Sequence, residues 1–150
     1  VSRAKDWDGV MLAMAFSMAR MATCCKLSVG CILTDRTGRV LSAGVNGPAS
    51  GRQHCTGQLG DPFDMCYKHC QATHAESNAI ISCHAPARYI RTCYTTWSPC
   101  VHCCKQLIQT GCTRIVFAHE SQEHEEAREF WMRRAGAENR SWERFVSSAP

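Results

Sequence analysis

The chain has no apolar run near the roughly 20 residues that a membrane helix needs, so no stretch of it reads as a span. It also lacks clustered charge. Seventeen basic and thirteen acidic side chains leave a formal +4 scattered along the sequence. That balance would help hold an anionic ligand, but it gives no basic stripe of the kind nucleic acid requires. There is no internal repeat and no low-complexity linker, and the 45% hydrophobic, 20% charged composition is not that of a disordered polymer. We therefore expect one domain over residues 1–150, a normal size for a single core, with 147–150 as a frayed tail. The N-terminal apolar segment Val10–Ala22 follows Lys5-Asp6-Trp7-Asp8 and carries Arg20, a pattern that does not read as a signal peptide.

Cysteine is what the chain has in excess: twelve in 150 residues. A disulfide scaffold is the first explanation to test. A chain of this length needs no staples, however, and several cysteines stand beside histidines (His54-Cys55, His69-Cys70, His102-Cys103), which metal ligation explains better than bridging. A reducing, cytoplasmic location follows as the expectation.

Periodicity orders the chain as α-β-β-α-β-α-β-α. Val10–Ala22 reads as an amphipathic helix with Trp7, Val10, Met11, Met14, Met18 and Met21 toward one face and Asp6 or Asp8 as N-cap. Val29–Leu33 and Val40–Val45 read as strands joined by a hairpin turn at Asp35-Arg36-Thr37-Gly38. Gly47–Pro62 is a long loop, of a length usually reserved for function. His74–Cys83 is a helix, Arg91–Thr96 a strand, Cys100–Thr110 a helix ended by Gly111 as a C-terminal cap, Arg114–Ala118 a buried strand and Glu123–Ala135 a final helix. The pattern is weak beyond Gly136. The expected fold is a three-layer α/β/α domain around a mixed central sheet of four or five strands.

Two short motifs carry chemistry. "THAESNAI" (Thr73–Ile80) holds His-x-Glu at the start of one helix, and "TWSPCVHCC" (Thr96–Cys104) holds Pro-Cys-x-x-Cys at the start of the next. Cys100 and Cys103 share the first turn of a helix, whose positive end favours thiolates, so both sulfurs can face one ion. His74 can add a nitrogen. Three protein ligands leave the fourth position of a zinc ion open, where water reaches a pKa of about 7. Glu76, two residues past His74, is placed to carry a proton beside such a centre, and the small Ala75 between them would let a flat ring lie against the backbone. The plainer alternatives are a structural zinc site or two unrelated local features. Asn46, at a strand end facing a loop, is a candidate binding residue, or simply the turn former before Gly47.

His-x-Glu followed by Pro-Cys-x-x-Cys is the signature of zinc-dependent nucleobase deaminases. From about Cys24 to Gly136 the chain resembles the cytidine/deoxycytidylate deaminase superfamily, and within it the deoxycytidylate (dCMP) deaminases. "HAESNAI", "YTTWSPCVHC", "VGCILTDRTGRVLSAGVNG" and the Cys-rich insert before His74 carry the likeness. The resemblance implies a cytidine-deaminase-like fold and hydrolysis of dCMP to dUMP and ammonia, supplying dUMP for dTMP synthesis. His74, Cys100 and Cys103 would hold a catalytic Zn²⁺, and Glu76 would shuttle protons. The Ala75 amide and the backbone around Ser98 would bind the pyrimidine, and Asn46 the sugar. It implies a second, structural Zn²⁺ on Cys24, Cys55 and Cys66, with Cys70 or His69 as fourth ligand. It further implies a homo-oligomer, hexameric in the family, activated by dCTP and inhibited by dTTP with Mg²⁺. The regulatory loop "GVNGPASG" would contribute Gly44, Gly47 and Gly51. Arg88 and His84 are phosphate candidates by charge alone.

Two rival readings stand beside this one. The same chemistry could act on a nucleoside, dCTP, a purine or a base in nucleic acid. For the last, "REFWMRRAGAENRSWERF" offers basic and aromatic residues that equally suit an exposed helix face. A non-catalytic zinc module would explain the cysteines but gives Glu76 no purpose.

Overall fold

The structure, a computed structural model, describes residues 3–24, 26–52, 54, 71–133 and 139–147. Along these run α1 (Arg3–Ala19), β1 (Gly30–Thr34), β2 (Val40–Val45), β3 (Gly47–Pro48), β4 (Ala72–Thr73), α2 (Ala75–Ile81), β5 (Thr92–Trp97), α3 (Val101–Ile108), β6 (Arg114–His119), α4 (His124–Met132) and β7 (Ser141–Arg144), with one 3₁₀ turn at Ala87–Tyr89. Five strands form a mixed sheet in the order β2-β1-β5-β6-β7. β1 runs antiparallel to both β2 and β5, whereas β5, β6 and β7 are parallel to one another.

Strand alternation decides the layers. Cys31, Leu33, Cys93, Ile115 and Phe117 face one side, where Ala75 and Ala79 of α2, Cys104 and Leu107 of α3, and Ala127 and Trp131 of α4 complete a core. Ile32, Tyr94 and Val116 face the other side, against Met11, Leu12 and Ala15 of α1. The result is α1, then the sheet, then α2, α3 and α4: the expected three layers. No helix among the described residues is long and apolar enough to cross a membrane.

The hairpin turn forms as expected: Asp35 Oδ1 accepts from the Thr37 and Arg39 amides, and Gly38 takes the positive φ of 86° that closes it. Other expectations need correction. Helix α1 runs from Arg3, so neither Asp6 nor Asp8 caps it, and Asp8 instead spans the layers to Arg114. Its buried face is Met11, Leu12, Ala15 and Ala19, while Trp7, Val10, Met14 and Met21 are exposed. Small residues win the contact because β1 passes backbone to backbone: a Cβ on Gly30 would lie 1.9 Å from the Ala15 carbonyl oxygen. Gly111 is not a left-handed cap. It has no positive φ, and its place is fixed by a carbonyl, that of Arg88, 2.1 Å from where its Cβ would be. The loop expected from Gly47 opens with β3, which pairs with β4 just ahead of His74. The strand β7 was not expected at all. It is a four-residue edge strand with three charged or polar positions, too short to show a period.

Two contacts tie distant parts of the fold together. Arg114 donates to both Asp8 oxygens at 2.6 and 2.8 Å and to both Glu143 oxygens at 2.7 and 2.9 Å, and the Tyr94 hydroxyl adds a bond to Asp8. Hydrogen bonding from Arg114 holds both carboxyls below their usual range. Acids with depressed folded pKa values stabilise the fold above the ordinary carboxylate range, and that contribution is lost as pH falls through the folded values. Calorimetry should therefore show a Tm that declines below about pH 4, with the decline flattened in the Asp8→Asn/Glu143→Gln double variant. Second, a Cβ on Gly44 would meet the Ala75 carbonyl oxygen at 2.2 Å and the Ala79 nitrogen at 2.5 Å, atoms that cannot step aside. Urea denaturation should find Gly44→Ala destabilised by about 2–3 kcal/mol, the range of an overpacked core.

Candidate active site

Parallel β5 and β6 end side by side, and the crevice beyond their carboxyl ends is where open α/β sheets place ligands. The chain leaves β5 through Trp97-Ser98-Pro99-Cys100 and enters α3 immediately, so Cys100 is the N-cap of that helix and Cys103 lies within its first turn. The Cys100 sulfur accepts from the Cys103 amide at 3.5 Å. On the other side, β4 delivers the chain to His74, the N-cap of α2, whose side chain makes no capping hydrogen bond. Its imidazole turns instead to the cysteines: Nδ1 lies 3.4 Å from each of the Cys100 and Cys103 sulfurs.

These three donor atoms all lie within 4.8 Å of one another. Zinc–sulfur bonds of about 2.3 Å and zinc–nitrogen bonds of about 2.0 Å at tetrahedral angles put S and N about 3.5 Å apart, which matches both His74–cysteine separations, so the donor set suits zinc. The electrostatics agree. The Cys100 thiol is pulled down to about 3 by hydrogen bonding with Cys103 and then with His74, while Cys103 is pushed up by the same pairing and by burial. A dication in contact with both sulfurs would favour the thiolate form of each. His74 is raised, first through its contact with Cys100.

Glu76 sits in the first turn of α2, only 4% exposed, with Oε2 3.5 Å from the Cys103 sulfur and Oε1 accepting from the Thr95 hydroxyl at 3.1 Å. Burial raises its carboxyl above the ordinary range. That is the direction a proton carrier needs near neutrality. The helix carrying it is locked in place. Ser77 donates to Gln106 of α3, and the Asn78 amide donates to the Val45 carbonyl at 2.7 Å and reaches the Thr73 carbonyl at 3.4 Å.

A cavity of about 470 Å³ opens above these groups, of a size suited to a small-molecule ligand. His74, Ala75, Glu76, Asn46, Ser98 and Cys100 all border it, so six residues singled out from the sequence converge here. Two of them are also committed to the fold. Asn46 accepts from the Val29 amide at 2.8 Å and donates to the Leu27 carbonyl at 2.6 Å, fastening the segment that leads into β1. The Ser98 amide donates to the His119 carbonyl at 2.8 Å, and its hydroxyl accepts from the Ser121 amide and lies 3.2 Å from His124 Nδ1. Ser98 thereby holds the 120–123 segment over the cavity.

Cys24 borders the same cavity, while Cys55, Cys66, Cys70 and His69 lie outside the described residues. Gly44 owes its presence to α2, Gly47 lies in β3 facing Thr23, and Gly51 takes a positive φ of 81°. Neither Arg88 nor His84 borders the cavity. Sequence reasoning did not find Thr95, Trp97, Lys26 or the 120–123 segment. Thr95 alone had left a signal, a polar residue on the inward face of a buried strand. Removing a zinc ligand should cost metal without unfolding the chain: Cys103→Ala is expected to bind one equivalent less zinc than the unaltered protein by atomic absorption, with its far-UV circular dichroism retained.

Comparisons with known proteins point the same way. Residues 5–119 match the family model described as the cytidine and deoxycytidylate deaminase zinc-binding region. ComE operon protein 2 of Bacillus subtilis (strain 168) is 33% identical over 130 residues, covering 84% of this chain and 66% of that protein. The deoxycytidylate deaminase of Mycobacterium phage D29 is 31% identical over 126 residues, covering 77% of this chain and 97% of that protein. The chain spans 40% of the yeast deoxycytidylate deaminase. Among solved structures, the dCMP deaminase of cyanophage S-TIM5, in complex with dCMP and dUMP, shares the fold with a TM-score of 0.67 at 22% identity, covering 83% of this chain and 89% of that one. With the His-Cys-Cys cluster, the buried glutamate and the matching family model in hand, the chain belongs to the cytidine and deoxycytidylate deaminase family, in its zinc-binding region.

Proposed function

We propose that the protein hydrolyses dCMP to dUMP and ammonia, as one catalytic domain. The carrying observation is Glu76: a buried carboxyl at the floor of a nucleotide-sized cavity, beside a donor set that fits zinc. The names of the phage relatives and the dCMP and dUMP bound to the cyanophage enzyme support the choice of substrate.

His74, Cys100 and Cys103 would hold zinc, which when bound would supply Lewis acidity and bring the pKa of water from ~15.7 down to about 7. The remaining tasks fall to the protein. Glu76 accepts a proton from the attacking water and delivers it to ring N3, then moves a second proton to the departing amine, so that C4 gains an oxygen and loses ammonia. Trp97 and Val29 give the cavity apolar surface for the pyrimidine. Ala75 is the first residue of α2, so its N–H has no intrahelical acceptor and is available to the base. Asn46 lies where it can meet the sugar through the hydrogen-bonding capacity left beyond its two backbone bonds. Lys26 is the cationic side chain among the described residues bordering the cavity, and we assign it to the 5′-phosphate.

The finer parts of this reading rest on the resemblance. A structural zinc on Cys24, Cys55, Cys66 and Cys70 or His69 would tie the 55–70 insert to the core. Activation by dCTP and inhibition by dTTP with Mg²⁺ would act through Gly44, Gly47 and Gly51 in a homo-oligomer. None of the eight cysteines among the described residues is in a disulfide, which supports a reducing, cytoplasmic setting.

Ammonia release from dCMP is the test, run beside dCTP, deoxycytidine and a cytosine-containing oligonucleotide. Glu76→Gln should lower kcat by about 10²–10⁴-fold while zinc content stays unchanged. Turnover of another substrate in the set would move the assignment, and an inert protein with zinc bound would remove it.

A further inference from the structure

We propose that Thr95 is a positioning residue for this reaction, its hydroxyl fixing the Glu76 carboxyl in the orientation from which it exchanges protons with substrate. The proposal rests on the deaminase reading of the site.

Thr95 lies on β5 with no solvent exposure, paired in register with Cys31 of β1. Its Oγ1 stands 3.1 Å from Glu76 Oε1 and 3.0 Å from the Trp97 carbonyl oxygen. A hydroxyl carries one proton and two lone pairs, so it cannot donate to both acceptors at once. Turned to Glu76, it donates to a carboxylate. Turned to Trp97, it presents a lone pair that can accept from the carboxylic acid. One group therefore satisfies Oε1 whether Glu76 holds a proton or has given it up, and the carboxyl need not swing between the two states. The other oxygen, Oε2, is left toward the Cys103 sulfur, and Glu76 itself borders the cavity.

The anchor is stiff. A β-branched side chain on a strand has few χ1 options, and Thr95 is closed in by the core. Its neighbour Thr96 uses its hydroxyl differently, accepting from the Gly30 amide at 3.2 Å, a backbone-to-strand tie with no link to Glu76. Packing alone gives no reason for a hydroxyl at 95, because valine has nearly the same shape and would fill the same space on the face shared with Cys31 and Cys93.

The test compares Thr95→Val, which keeps the shape and deletes the hydroxyl, with Thr95→Ser, which keeps the hydroxyl, both as zinc-loaded protein. Thr95→Val is expected to lower kcat for dCMP by about 10- to 100-fold with KM within about twofold of the unaltered protein, and Thr95→Ser to recover to within about threefold. Isotope-edited infrared spectroscopy gives a second readout that needs no turnover. The Glu76 carboxyl band, assigned by its loss in Glu76→Gln, should shift in Thr95→Val and return in Thr95→Ser. An unshifted band with native kcat in Thr95→Val would overturn the proposal. So would equal impairment in both variants, a loss confined to KM, or loss of zinc or near-UV circular dichroism in Thr95→Val. If the unaltered protein fails to deaminate dCMP, the substrate assignment falls, and the infrared comparison still decides the role of Thr95.

Discussion

Everything at the site depends on how near α2 can lie to the sheet. β2 passes that helix with backbone against backbone, leaving no room for a side chain at Gly44, and Ala75 and Ala79 are the small residues that meet it. This contact sets the depth of α2, and with it the height at which His74 and Glu76 arrive over the ends of β5 and β6. A helix held a methyl group farther out would carry His74 away from Cys100 and Cys103, which reach the same point from β5 along an independent path. Two helix starts, fixed separately by packing, must agree to within a fraction of an ångström for one ion to be shared. Ser77, which bonds to Gln106, and Asn78, which bonds to the Val45 carbonyl, enforce that agreement with polar contacts.

The opposite end of the sheet is devoted to stability. Asp8, Tyr94, Arg114 and Glu143 draw α1, β5, β6 and β7 into one ion-pair cluster, bringing together residues more than a hundred positions apart. Its charges are paired on several sides and partly solvated, which spares them the penalty of a dry, isolated pair. Glu76 is the reverse: a lone carboxyl in the interior, with a hydroxyl and a thiol for company. The fold tolerates that cost at one place, and it is the place where a perturbed acid has a use.

The cysteines divide along the same line. Cys31, Cys93, Cys104 and Cys112 fill the core as small apolar residues, and burial pushes the thiols of Cys104 and Cys112 up so that they stay protonated. Cys100, at a helix N-terminus and in contact with Cys103 and His74, is driven the other way. Adjacent Cys103 and Cys104 face different surroundings, the first toward His74 and the second toward the Ala127 carbonyl in the core, because successive helical positions point about 100° apart.

The sequence by itself determined the order of the main elements, the mixed sheet in three layers, and the grouping of His74, Glu76, Cys100 and Cys103, because each rests on local rules: strand alternation, helix starts, and the spacing that lets two side chains face one point. It could not place the short edge strand β7, whose four residues carry no readable period, nor distinguish the buried from the exposed methionines of α1, since a stripe of apolar residues does not say which of its edges the sheet will touch. The partners of Thr95, the 120–123 segment held by Ser98, and the commitment of Asn46 to the lead into β1 all link residues distant along the chain. Such contacts exist only once strands are in register and helices are seated. Tertiary structure alone decided them, because close packing and hydrogen-bond satisfaction are properties of the assembled interior.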